Sequence, residues 1–93
     1  MGYIFEWDLR KAQAKGRKHG VKFDEASTAF GDPLALLMPD PDHSEGEERY
    51  LLLGRSNQQR LLVVAFAERP PRTRMISARR ATSRERRRYE KEA

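Results

Sequence analysis

Residues 61–67 read LLVVAFA, seven apolar side chains without a break. A strand with one wet face alternates apolar and polar residues; a strand covered on both faces has no need to. The run is far too short to cross a bilayer as a helix. It therefore predicts the central strand of a sheet, with other parts of the chain lying beside it and over both faces. A length of 93 residues allows one domain, 1–93, built round one modest core.

The neighbours can be read outward from that strand. Tyr3, Phe5 and Trp7 alternate with Ile4 and Glu6, a short strand. Asp8 is placed to cap a helix over 9–19, with Gly20 as its stop, and Leu9, Ala12, Gly16 and His19 share one narrow face of small residues. A second helix is expected over 23–30, because Phe23, Ala26 and Phe30 fall on one side and Asp24 and Glu25 suit its positive end. Residues 34–38, 50–54 and 73–78 read as further strands. Residues 39–48 form an acidic, turn-rich loop, 56–59 close a hairpin, and 68–71 make a turn containing Pro70 and Pro71. Thr82 and Glu85 have the spacing of a capping box at the start of a last helix, whose single packing residue is Tyr89. Such a polar helix is marginal alone, so fraying or support by a partner is expected. The order predicts an α+β fold with the helices grouped on one side: an antiparallel sheet of about four to five strands, two N-terminal helices packed on it, and a C-terminal helix.

Charge narrows the function. Residues 69–93 hold ten arginines and lysines against three glutamates, a net of +7, whereas 1–68 carry −2. Nine of the ten are arginine, whose planar fork matches phosphate and carboxylate. The partner is therefore an anionic polymer or an acidic protein. The chain has no cysteine, which removes disulfides, thiolate zinc sites and cysteine nucleophiles. His43 with Asp40, Asp42 and Glu45 offers one imidazole among flexible acids, a weak set for a metal, so neither metal nor cofactor is expected. The N-terminus lacks the basic start and apolar stretch of a signal peptide, so a cytoplasmic protein without membrane attachment is expected.

Glu68 ends the central strand, Arg72 and Arg74 open the next, and Arg79 and Arg80 close it. A carboxylate among guanidinium groups has the makings of a proton-transfer residue in a phosphate site. It also has the makings of a plain surface ion-pair cluster. Alternation adds a constraint: Arg74 and Arg79 fall on opposite faces of a regular strand unless a bulge intervenes or the strand ends before Arg79. The arginine-rich end helix reads as a solvated face with pairs such as Arg86–Glu90, and His19 as a packing residue near a helix end.

FEWD at 5–8, RKHGV at 17–21, FDEA at 23–26, FGDPLAL at 30–36, DPDHSEGEERYLLLG at 40–54 and RTRMISARRATSRERRRYE at 72–90 occur in that order. Together they resemble the BrnT family, toxins of type II toxin–antitoxin pairs. The resemblance implies a RelE-like fold and a metal-independent endoribonuclease that inhibits translation. It also implies neutralisation by a BrnA-like antitoxin in a heterotetramer that meets operator DNA only through the antitoxin. Members often carry a hydroxyl residue just before the glutamate matching Glu68; this chain has Ala67.

RNA supplies its own nucleophile, the 2′-hydroxyl. Cleavage needs that group deprotonated, the charge on phosphorus stabilised and the leaving 5′-oxygen protonated. The expected catalytic set is Glu68 as base, Arg74 and Arg79 on the phosphate, and Lys18, His19 or Tyr89 in proton delivery. Arg72, Arg80 and Tyr89 are expected to bind RNA. Two alternatives stand beside this reading: a basic nucleic-acid-binding or co-repressor module without catalysis, and a protein-interaction domain whose arginine helix takes an acidic partner.

Overall fold

The computed structural model describes residues 3–40 and 48–92. Its elements are β1 (Phe5–Glu6), α1 (Leu9–His19), α2 (Phe23–Thr28) running into a 3₁₀ turn at Ala29–Gly31, β2 (Leu36–Pro39), β3 (Arg49–Arg55), β4 (Leu61–Arg69), β5 (Arg72–Arg80) and α3 (Ser83–Glu92). The acidic loop and the metal set considered around His43 fall largely on residues 41–47, outside the described residues.

The five strands form one sheet in the order β1-β5-β4-β3-β2. LLVVAFA lies in β4, the middle strand, and both of its faces are covered. Leu62, Val64 and Phe66 pack with Val21, Phe23, Ala26 and Ala29 on one face. Leu61 and Val63 pack with Leu53 and Tyr89 on the other. The first face is called the α2 face below, the second the α3 face. The helices thus do not group on one side: α3 takes the face opposite α2, because Tyr89 is its only buried residue and its partners are the odd-numbered side chains of β3 and β4.

The first helix is capped as its residues require. The Asp8 carboxylate accepts the Lys11 N–H, and Gly20 adopts φ 70°, the left-handed stop. Its inward stripe differs from expectation at the start, where Leu9 is 69% exposed. The first turn of α1 follows a β1 of two residues, which pairs in parallel with Thr73 and Arg74 and covers only that short stretch of the edge of β5. Gly54 is needed for close approach: a Cβ there would lie 2.9 Å from the Ala29 carbonyl oxygen and 3.2 Å from the Ala35 Cβ.

A bulge does intervene in β5. Phe66 pairs with Met75 and Ala65 with Ser77, so Ile76 is an extra residue in the ladder. Met75 and Ala78 consequently share the α2 face. Arg74 and Arg79 share the other, as their partners Ala67 and Val63 require.

Candidate functional site

Cross-strand register builds the first part of the site. Glu6, Arg74, Ala67 and Arg49 are consecutive partners across β1, β5, β4 and β3, so their side chains form one row on the α3 face. Ala67 is fully buried in the middle of the row, between two arginines. Arg69 pairs with Arg72 two residues nearer the turn, and so on the same face. Glu6 is 3.8 Å from Arg74 and 3.9 Å from Arg72.

Helix α1 packs against β5 and completes the enclosure. Asp8, Lys11 and Lys15 join Arg49, Arg69 and Arg74 around a hollow of about 250 Å³, with Phe23, Met75 and Ile76 in its wall. Five cations and one carboxylate line this single space, which is large enough to admit a phosphate group. Lys15 is half-buried, and its Nζ donates to the Ile76 carbonyl oxygen at 2.8 Å. Burial first, then the charges of Lys11, Arg49 and Lys18, hold its ammonium below the usual lysine range. The Asp8 carboxyl lies below its usual range mainly because it accepts the Lys11 N–H.

Glu68 is elsewhere. It pairs with Thr73, one step out of phase with Arg74, and so stands on the α2 face. Thr73 Oγ1 approaches its carboxylate at 3.5 Å. Glu68 borders a separate slot of about 490 Å³ with Tyr3, Phe30, Tyr50 and Phe66. The expectation that Glu68 and Arg74 flank one reacting phosphate is therefore not met: both lie near the turn, but the pleat aims them to opposite sides.

Arg79 and its neighbours lie at the far end of β5, roughly 15 Å from Arg74 at the usual rise per residue. Its guanidinium grips both oxygens of Glu85, at 2.8 and 2.9 Å. Glu85 also accepts the Thr82 N–H at 2.8 Å, and its own N–H donates to Thr82 Oγ1, the expected capping box. Hydrogen bonding to Arg79, against the opposing effect of burial, lowers the Glu85 carboxyl to about 2. Tyr89 is 5% exposed, and its hydroxyl donates to Asp32 at 2.7 Å. Burial and that bond raise its phenol. Both residues clasp α3 to the sheet, which explains how so polar a helix holds its place.

Lys18 and His19 close α1 at this same far end, beside Gly20. The Gly20 carbonyl accepts from Arg60, whose guanidinium also pairs with the buried Glu25 carboxylate, itself bonded to Ser56 Oγ at 2.7 Å. Arg80 is exposed and contributes its charge to Glu25. The expected residues thus divide into three groups: Arg74 in the wall of the basic hollow, with Arg72 outside that wall as the strand partner of Arg69; Glu68 on the other face of the sheet; and Lys18, His19, Arg79, Arg80 and Tyr89 at the opposite end. Sequence reasoning passed over Lys11, Lys15, Arg49 and Arg69. The signal for the two lysines was there, since i, i+4 spacing after the Asp8 cap puts both on one side of α1. Arg49 needed the strand register.

A family model described as "Ribonuclease toxin, BrnT, of type II toxin-antitoxin system" matches residues 7–85. The crystal structure of the Brucella abortus ribonuclease toxin BrnT superposes with a TM-score of 0.68 at 22% identity, covering 88% of this chain and 100% of that one. That likeness covers the mixed α+β fold of three helices and a five-stranded sheet. No curated protein sequence matches the chain.

Proposed function

The chain belongs to the BrnT family of ribonuclease toxins of type II toxin–antitoxin systems, and from that premise we propose that its basic hollow is where RNA is held and cut. The observation carrying this is the gathering of Lys11, Lys15, Arg49, Arg69 and Arg74 round one hollow. A scissile phosphate there gains negative charge as the 2′-oxygen attacks. Fixed guanidinium groups in a partly desolvated site stabilise that charge without reorganising. Arg74 is the central contact, since it sits on the sheet between Glu6 and Ala67 and projects from a rigid strand. Arginines keep their protons throughout, so they hold charge and do not transfer it. Because side chains supply the cations, the cleavage is metal-independent.

The remaining assignments extend the same reading. The domain is RelE-like, spans 1–93, works in the cytoplasm and inhibits translation when released. A type II toxin implies an antitoxin. Here it is a BrnA-like protein that neutralises the toxin in a heterotetramer and alone contacts operator DNA. Incubating the purified chain with RNA in excess chelator tests the core of this. Cleavage leaving 2′,3′-cyclic or 3′-phosphate ends is expected. Arg74→Ala should slow it by about 100-fold, the usual loss for one charge-stabilising contact. Binding without cutting would favour the nucleic-acid-binding or co-repressor alternative.

A further inference from the structure

Resting on the hollow as the RNA site, we propose that Lys15 is the proton donor to the departing 5′-oxygen. Four features single it out. It is half-buried in the wall of the hollow, whereas Lys11 beside it is exposed. Its ammonium is fixed by one hydrogen bond of 2.8 Å to the carbonyl of the bulge residue Ile76, which leaves two N–H groups for a substrate. The other cations of the hollow besides Lys11 are arginines, which cannot give up a proton. Finally, burial first, then the charges of Lys11, Arg49 and Lys18, tilt it toward the neutral amine, which makes proton release easier in a hollow that Arg69 and Arg74 also line. Lys18, the site candidate on the same helix, is exposed and outside the hollow's wall.

The step balances as follows. The 2′-oxygen forms a bond to phosphorus as the bond from phosphorus to the 5′-oxygen breaks. The Lys15 ammonium gives a proton to that oxygen, leaving a 5′-hydroxyl, a 2′,3′-cyclic phosphate and a neutral amine that regains its proton from water. The 2′-hydroxyl proton passes to solvent water, since the Asp8 carboxylate is engaged at the α1 N-terminus by the Lys11 N–H.

An RNA oligonucleotide with one 5′-bridging phosphorothiolate linkage tests this, since a sulfur leaving group needs no proton. Lys15→Ala should slow cleavage of the ordinary linkage by about 100-fold or more. It should cut the sulfur linkage within about threefold of the wild-type rate. Lys15→Arg, which keeps the charge and the bond to the bulge but cannot donate its proton, should behave the same way and guards against a folding defect. Arg74→Ala should be slow on both linkages. Equal losses on both linkages for the two Lys15 variants would overturn the assignment while leaving the hollow as the site. A wild-type chain that cuts neither linkage would overturn the ribonuclease reading of the hollow itself.

Discussion

The pairing of Arg79 with Glu85 turns a suspected catalytic arginine into a measurable structural one. Two parallel bonds of 2.8 and 2.9 Å join the groups, and Glu85 falls from an ordinary 4.5 to about 2. At about 1.4 kcal/mol per pH unit that drop corresponds to about 3 kcal/mol. The Arg79 side chain is 42% exposed and Glu85 25%, so solvent screening reduces the share reaching stability to about 1–2 kcal/mol. The folded carboxyl is the more acidic one. Its contribution is therefore complete above the ordinary value of 4.5 and disappears as pH falls toward about 2. In Glu85→Gln the amide keeps the capping geometry but loses the charge. Urea unfolding should place the variant about 1–2 kcal/mol below wild type at pH 7, with the gap closing near pH 2.5. Other carboxylates titrate alike in both proteins and cancel from the difference. A gap equal at both pH values, or none at pH 7, would refute the argument. The same reasoning expects Arg79→Ala to lose stability while its cleavage rate per folded molecule stays near wild type.

Glu68→Gln should change the RNA cleavage rate by less than about threefold, since its side chain lies across the sheet from the hollow; a loss near the 100-fold typical of general-base removal would restore it to the mechanism. Arg60→Met leaves the Glu25 carboxylate buried without its cation and should cost about 3 kcal/mol in urea unfolding at neutral pH. Gly54→Ala drives a methyl against the Ala29 carbonyl and should lower stability by about 1–3 kcal/mol, read as a drop in melting temperature.

Much of the architecture was legible because it follows from local patterns. LLVVAFA had to be a doubly covered strand, Asp8 and Gly20 bracket α1, and Thr82 with Glu85 starts α3. The site was less legible, for a reason of phase. Side chains on a strand alternate, so the face of Arg74 relative to Glu68 depends on the pairing across the 68–73 turn, which composition does not reveal. Glu68 meets Thr73, and the pair looked for in sequence is divided by the sheet. Arg49 joins Arg74 only through two intervening registers, and Lys15 only through the path of α1 beside β5. Helix α3 was read as poorly anchored because its two fastenings, Arg79 to Glu85 and Tyr89 to Asp32, reach outside its own sequence. Of the two ways in which Arg74 and Arg79 could share a face, a bulge or an earlier strand end, β5 takes the bulge and runs on to Arg80.

Ile76 has a consequence of its own. Every other residue of β5 opposite β4 would keep its partner if Ile76 were removed, since Met75 and Ser77 already face neighbouring positions of that strand. Its presence is thus surplus to the sheet's pairing. What it adds is a carbonyl for the amine of Lys15. A shortened chain lacking it would assemble the same layers yet leave that lysine untethered, separating how the molecule is built from how it is armed.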